Sequence, residues 1–157
     1  MEVHDAHASK GEVDSQQRVL VVGTDDWAAD RAAASVEQSG LDVLRCHESG
    51  QPAFPCNAFI PDRACPLDVG FDVVLTVRAR PARESEPGEV GVVCGLRAGR
   101  PLVVAGVTMG NPFTKVATAV VAEGGDAAEA CRVAAQSMAA DPSTQRAEVV
   151  NLRPIRN

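Results

Sequence analysis

Three short runs of consecutive apolar residues constrain the fold of this chain more than any other feature. They are RVLVVG at 18–23, FDVVLTVR at 71–78 and PLVVAGV at 101–107. Runs that are apolar at nearly every position, instead of at every second one, are typical of strands buried on both faces, as in a parallel sheet. The sequence therefore predicts a sheet that is covered by helices on both sides.

The segments between these runs complete a pattern of alternating strands and helices. Because strand–helix–strand crossovers are right-handed, we predict an α/β fold with a five-stranded parallel doubly wound sheet in the order 2-1-3-4-5. Asp25 or Asp26 is expected to cap the first helix, a role that we prefer over a magnesium site for this acidic pair. The remaining expected elements are a first helix ending at Gly40, a strand at 41–46, a helix at about 89–99, a strand at 117–122, where a helix also fits the pattern, and a helix at 126–140.

The length of 157 residues suits one domain, which we place at 18–140. Residues 1–17 are polar and are expected to be a disordered tail, and residues 141–157 form a C-terminal extension with a short strand predicted at AEVVNL. The net charge of -6 disfavours binding to nucleic acid or anionic membranes. Because no signal peptide or membrane-spanning run is evident, we expect a cytoplasmic protein whose thiols stay reduced.

The crossover between the second and third strands lacks the helix that this fold normally has there. Prolines at four positions break any helix of useful length, so the crossover is expected to be a structureless loop of about 24 residues. Phe54, Phe59 and Ile60 are expected to pin this loop against the sheet as a small hydrophobic cluster. A loop of this length in a compact domain usually has a function or an internal cross-link.

Cysteines are placed where a bound metal could cross-link the loop. Cys46 ends the second strand, Cys56 and Cys65 lie in the loop, and Cys94 lies in the helix expected on the same face of the sheet. We predict that these four are metal ligands, with zinc or an iron–sulfur cluster as the cofactor and His47 as a fifth candidate ligand. Their spacing matches neither zinc knuckles nor ferredoxins, so ordinary buried thiols are an equal alternative. The fifth cysteine, at position 131, lies on the apolar face of the last helix and is expected in the core.

The strings VLVVGTDD, FDVVLTVRARP and PLVVAGVT resemble the response-regulator receiver domain, a flavodoxin-like fold, over roughly residues 18–140. In receivers the third strand ends with the aspartate that accepts the phosphoryl group, and Thr76 is the nearest equivalent here. The resemblance therefore implies a pseudo-receiver without phosphotransfer. The cysteine loop is also similar to the proline-rich cysteine loop of uncharacterised actinobacterial proteins, a resemblance that implies no activity.

Two hypotheses about function follow from these residues. The favoured one is a non-catalytic regulatory or interaction module, with a protein partner, whose loop cysteines bind a metal or an iron–sulfur cluster. The alternative is a small enzyme or small-molecule binder that uses Asp25, Thr76 and Arg78 at the carboxyl ends of the strands, where ligands of doubly wound sheets bind. The sequence offers little support for an enzyme. CGLRAGR at 94–100 matches C-x5-R but precedes a strand instead of a helix, and no serine nucleophile elbow, H-E-x-x-H or spaced carboxylate pair is present.

Overall fold

The computed structural model describes residues 16–140, which form an α/β fold of five strands and four helices. The sheet is parallel throughout. Its strands are β1 (Arg18–Gly23), β2 (Asp42–Leu44), β3 (Val73–Arg78), β4 (Leu102–Gly106) and β5 (Ala119–Val120), and its helices are α1 (Asp26–Gln38), α2 (Pro66–Val69), α3 (Val90–Arg97) and α4 (Ala127–Ala140). The strand order β2-β1-β3-β4-β5 confirms the flavodoxin-like arrangement predicted from the sequence.

The central strands are buried on both faces, as their continuous apolar runs predict. All six residues of β3 are buried, and side chains alternate between two separate cores. Val73 and Leu75 pack with α1 and α4 on one face, whereas Val74 packs with Val92 of α3 on the other. Cys131 is fully buried in the first of these cores, which confirms its expected place.

Several boundaries differ from those expected. The second and fifth strands have three and two residues, shorter than the runs at 41–46 and 117–122. The loop between β2 and β3 is not wholly structureless, because it contains a single 3-10 turn at Asn57–Phe59 and the short helix α2, in which Pro66 occupies the first position. The predictions for the tail before Gln16 and for the extension at 141–157 lie outside the described residues. No helix among residues 16–140 is long and apolar enough to cross a membrane.

Helix α3 packs unusually close to the sheet because it presents glycines to it. A Cβ atom at Gly95 would lie 2.2 Å from Cγ2 of Val74 in β3, and one at Gly91 would lie 2.9 Å from both Sγ of Cys46 and Cγ2 of Val22 in β1. These distances are well below van der Waals contact. The two glycines therefore set the distance between α3, which carries Cys94, and the sheet.

Candidate metal centre

Four cysteine side chains from separate parts of the chain line one cavity of about 230 Å³. Cys46 follows β2, Cys56 and Cys65 lie in the loop that leads to β3, and Cys94 comes from α3. All four are partly buried, and none forms a disulfide. The structure thus brings together the four residues that the sequence analysis singled out as metal ligands, and His47 lines the same cavity.

The wall of this cavity is mainly apolar. Its inner side is formed by Leu20 of β1 and by Phe71, which belong to the core beneath α3. Aliphatic and aromatic residues of the loop and of α3 complete it. Among the described residues, His47 and Asn57 supply the polar side chains of the wall besides the thiols. A group bound here would therefore be held by sulfur in surroundings with few hydrogen-bond donors.

The thiols affect one another electrostatically. Burial, together with smaller effects of negative charge on Cys94, Cys56 and Cys65, raises the pKa of Cys46 to about 12. The pKa of Cys94 is also raised, first by burial and then by Cys56 and Cys65. Repulsion of this kind disfavours several thiolates in one cavity unless a cation binds among them, because a bound metal stabilises the deprotonated form.

The thiols surround a space instead of meeting at a point. Within residues 16–140, no three side chains of His, Cys, Asp or Glu lie close enough together to share one metal ion. A tetrahedral zinc site with bonds of about 2.3 Å would require sulfur atoms about 3.8 Å apart. Thiols that line one cavity without meeting at a single point could hold a [4Fe–4S] cluster, in which each thiolate binds a different iron atom.

Carboxylates of α1 hold the beginning of the cysteine loop. Oδ2 of Asp26 accepts a hydrogen bond from the backbone N–H of Gly50 at 2.9 Å. Asp30 forms an ion pair with Arg45 and accepts a hydrogen bond from the hydroxyl of Ser49 at 2.8 Å. The hydrogen bond from Arg45 lowers the pKa of Asp30, so this carboxylate is charged at neutral pH. These contacts fix the chain on both sides of Cys46.

Two arginines hold the rest of the loop. Arg63 donates hydrogen bonds to the side-chain oxygens of Gln51 at 2.8 Å and Asn57 at 3.4 Å, which connects the two halves of the loop. Arg18 of β1 donates from its guanidinium to the carbonyl of Val69 at 3.1 Å, at the end of α2. Polar contacts of this kind replace part of the order that a crossover helix would supply.

The prediction of a hydrophobic cluster in the loop is wrong. Phe54 and Phe59 are 78% and 81% exposed, and Ile60 is only half-buried. Within residues 46–70, all of which the structure describes, Pro66 is the single buried residue. Both phenylalanines line the cysteine cavity and face solvent.

Two of the three residues predicted for a ligand at the strand ends, Asp25 and Arg78, are engaged within the protein. The carboxylate of Asp25 accepts hydrogen bonds from the backbone N–H groups of Trp27 and Ala28, which confirms it as the N-cap of α1. Thr76 is fully buried, and its hydroxyl has no hydrogen-bond partner among the described residues. A groove of about 370 Å³ lies at the carboxyl ends of β3 and β4; Arg78 lines it, whereas Asp25 and Thr76 do not.

Arg78 is buried and forms an ion pair with Glu89. Its guanidinium donates two hydrogen bonds to the carboxylate of Glu89, both 2.7 Å long, and further bonds to the carbonyls of Ala82 and Glu84. It thus holds the segment between β3 and α3. Glu89 was not predicted from the sequence, because a glutamate just before a helix is usually a solvent-exposed cap.

Comparisons with known proteins found no family model and no curated protein that matches this chain. The chemistry of the cysteine cavity is therefore argued from its own residues.

Proposed function

We propose that this protein binds an iron–sulfur cluster through Cys46, Cys56, Cys65 and Cys94 and acts as a non-catalytic regulatory or interaction module. One observation carries the proposal: these four cysteines, from four separate segments, line a single, mainly apolar cavity. Four thiolates are the usual ligand set of both [2Fe–2S] and [4Fe–4S] clusters. The cavity offers the same number of thiols and a mainly apolar wall.

The size of the cavity favours a cluster over a single zinc ion. Zinc draws its four sulfur ligands to within about 3.8 Å of one another, whereas these thiols are arranged around about 230 Å³ of open space. A cluster fills such a space because it places several metal and sulfide atoms between the thiolates. Zinc binding would require the loop to contract around the ion.

The composition of the loop also supports a bound group. A segment of 25 residues, 46–70, in which only Pro66 is buried gains little from the hydrophobic effect. Bonds from one cluster to Cys46, Cys56 and Cys65 would connect three points of this segment, and the bond to Cys94 would attach it to α3. Metal binding of this kind contributes directly to the free energy of folding.

The surroundings of the cavity support a role other than catalysis. His47 and Asn57 are the polar side chains of its described wall besides the thiols, so few groups are available for proton transfer. Elsewhere, Asp25 and Arg78 are engaged in hydrogen bonds within the protein. A cluster in such a site would report on redox state or oxygen, or would order a surface for a protein partner.

Anaerobic purification followed by visible absorption and measurement of iron, sulfide and zinc tests this proposal. Wild-type protein is expected to be coloured and to contain two or four irons per chain with equal sulfide, as for the two common cluster types. Cys56→Ala is expected to lose the colour and most of the iron. Cys131→Ala is the matched control, because Cys131 lies in the core away from the cavity, and it is expected to retain both.

Two results would contradict the proposal. One is a colourless protein with much less than stoichiometric iron after anaerobic reconstitution. The other is stoichiometric zinc that depends on the same four cysteines, which would establish a zinc site in place of a cluster.

A further inference from the structure

Large apolar side chains surround the mouth of the cysteine cavity. Four of them both line the cavity and are exposed to solvent, and we refer to them as the apolar rim: Phe54, Phe59, Leu67 and Val90. Val69 and Val93, next to the rim in sequence, are also more than two-fifths exposed. Exposed apolar patches that are contiguous usually mark interaction sites.

The size of this surface favours a transient partner over a permanent one. Since an aromatic side chain presents about 150–250 Å² of surface, Phe54 and Phe59 together expose on the order of 300 Å² at their exposures of 78% and 81%. Adding Leu67 and Val90 brings the rim to roughly 500 Å². A standard stable interface buries about 800 Å² on each partner, whereas electron-transfer encounters fall at the low end of the range.

The charge around the rim indicates the kind of face that fits it. The cysteine loop carries three exposed carboxylates, of Glu48, Asp62 and Asp68, and one cationic side chain, that of Arg63. The exposed Arg97 of α3, whose charge acts on Cys94, is a second cation near the cavity. The guanidinium of Arg63 is engaged with Gln51 and Asn57. The whole chain has a net charge of -6. A partner with a basic face around an apolar centre is therefore steered to this surface and complements it.

We infer that the apolar rim is the docking surface for a one-electron carrier protein with a basic face, an inference that rests on the proposed cluster. Docking there would place the carrier directly over the cavity that Cys56, Cys65 and Cys94 line. One electron passes from the reduced cluster to the metal of the carrier, so the cluster is oxidised and the carrier is reduced by one electron. No bond forms or breaks, and no proton is transferred.

Oxidation of the reduced holoprotein by ferricytochrome c, a basic carrier, tests this inference. The rate is followed at low ionic strength by the absorbance of the haem as its iron changes from Fe(III) to Fe(II). Phe59→Ser is expected to lower the second-order rate constant roughly tenfold, because it removes apolar area from the encounter. Met109→Ser, which changes a residue that is 76% exposed outside the rim, is expected to have no effect.

Two further measurements separate docking from other effects. Ferricyanide is small and needs no docking face, so it is expected to oxidise wild type and Phe59→Ser at equal rates. The double variant Asp62→Asn/Asp68→Asn is expected to slow the reaction with cytochrome c at low salt. This difference is expected to disappear near 0.15 M salt, where the screening length falls to about 8 Å.

Equal rates of wild type and Phe59→Ser with cytochrome c would overturn the inference while leaving the cluster intact. So would a wild-type dimer, seen by analytical ultracentrifugation and lost in Phe59→Ser, because it would assign the rim to a second copy of this chain. Absorption of the holoprotein before mixing distinguishes these results from failure of the proposed function. A chain without a cluster overturns both proposals.

Discussion

Replacing Glu89 by glutamine is expected to destabilise the fold strongly. The side chains of Arg78 and Glu89 are 1% and 0% exposed, and two hydrogen bonds of 2.7 Å join them. The hydrogen bonds to Glu89 raise the pKa of Arg78, so the arginine is charged throughout the accessible pH range. Glu89→Gln leaves that charge buried without its counterion. Removal of one partner of a buried pair costs about 3–5 kcal/mol.

Urea unfolding followed by circular dichroism measures this loss. With a slope of about 2 kcal/mol per molar urea, the midpoint is expected to fall by roughly 2 M. Glu84→Gln is the matched control, since Glu84 is exposed and contributes only its carbonyl to Arg78, and its effect is expected to stay below about 0.5 kcal/mol. The double variant Arg78→Met/Glu89→Leu is expected to recover much of the stability, because no uncompensated charge is left. Similar midpoints for Glu89→Gln and Glu84→Gln would refute this reasoning.

Two other predictions concern α3 and the buried thiols. Gly95→Ala is expected to cost about 1–3 kcal/mol in urea unfolding, because the new methyl group would lie 2.2 Å from Cγ2 of Val74. Val74→Ala relieves that overlap, so strictly additive effects in the double variant would contradict the contact. In the metal-free folded protein, iodoacetamide at pH 8 is expected to alkylate Cys46 and Cys131 much more slowly than in urea. Burial raises both pKa values to about 12, which leaves roughly one thiolate in ten thousand at pH 8. Equal rates in the folded and unfolded protein, measured by mass spectrometry, would show that burial does not protect these thiols.

The sequence was sufficient to predict the sheet and the neighbourhood of the thiols. The order of the strands follows from local information, because continuous apolar runs that alternate with helices have few compatible topologies. The meeting of Cys46 with Cys94 follows from the same topology, since the second crossover and α3 lie on one face of the sheet. Both inferences depend on the direction of each strand and on the face of the sheet that each segment covers, and a sequence pattern specifies both well.

Contacts between distant side chains could not be predicted in the same way. Phe54 and Phe59 are apolar residues of the kind that form a cluster within a loop. Their exposure depends on the backbone position of the loop, which Asp26, Asp30 and Arg63 contact through hydrogen bonds. No local pattern specifies such hydrogen bonds. Arg78 was predicted as a ligand-binding residue at the carboxyl ends of the strands, whereas Glu89, eleven residues later, neutralises it in the interior. A charged residue is usually buried only with a partner of opposite charge, and the fold decides which residue that partner is.

The ion pair between Arg78 and Glu89 and the glycines of α3 influence the cysteine cavity, although none of them is a cysteine. Helix α3 has only eight residues and contains two glycines, each of which costs about 1 kcal/mol in helix propensity. Its position therefore depends on close packing at Gly91 and on the anchor that Glu89 provides just before its first turn. Because the cavity wall includes the start of α3 and Cys94, loosening this anchor moves Cys94, a proposed ligand, without replacing any cysteine. It follows that Glu89→Gln, at a temperature where it is still folded, should lose iron to a chelator faster than Glu84→Gln, although neither glutamate lines the cavity.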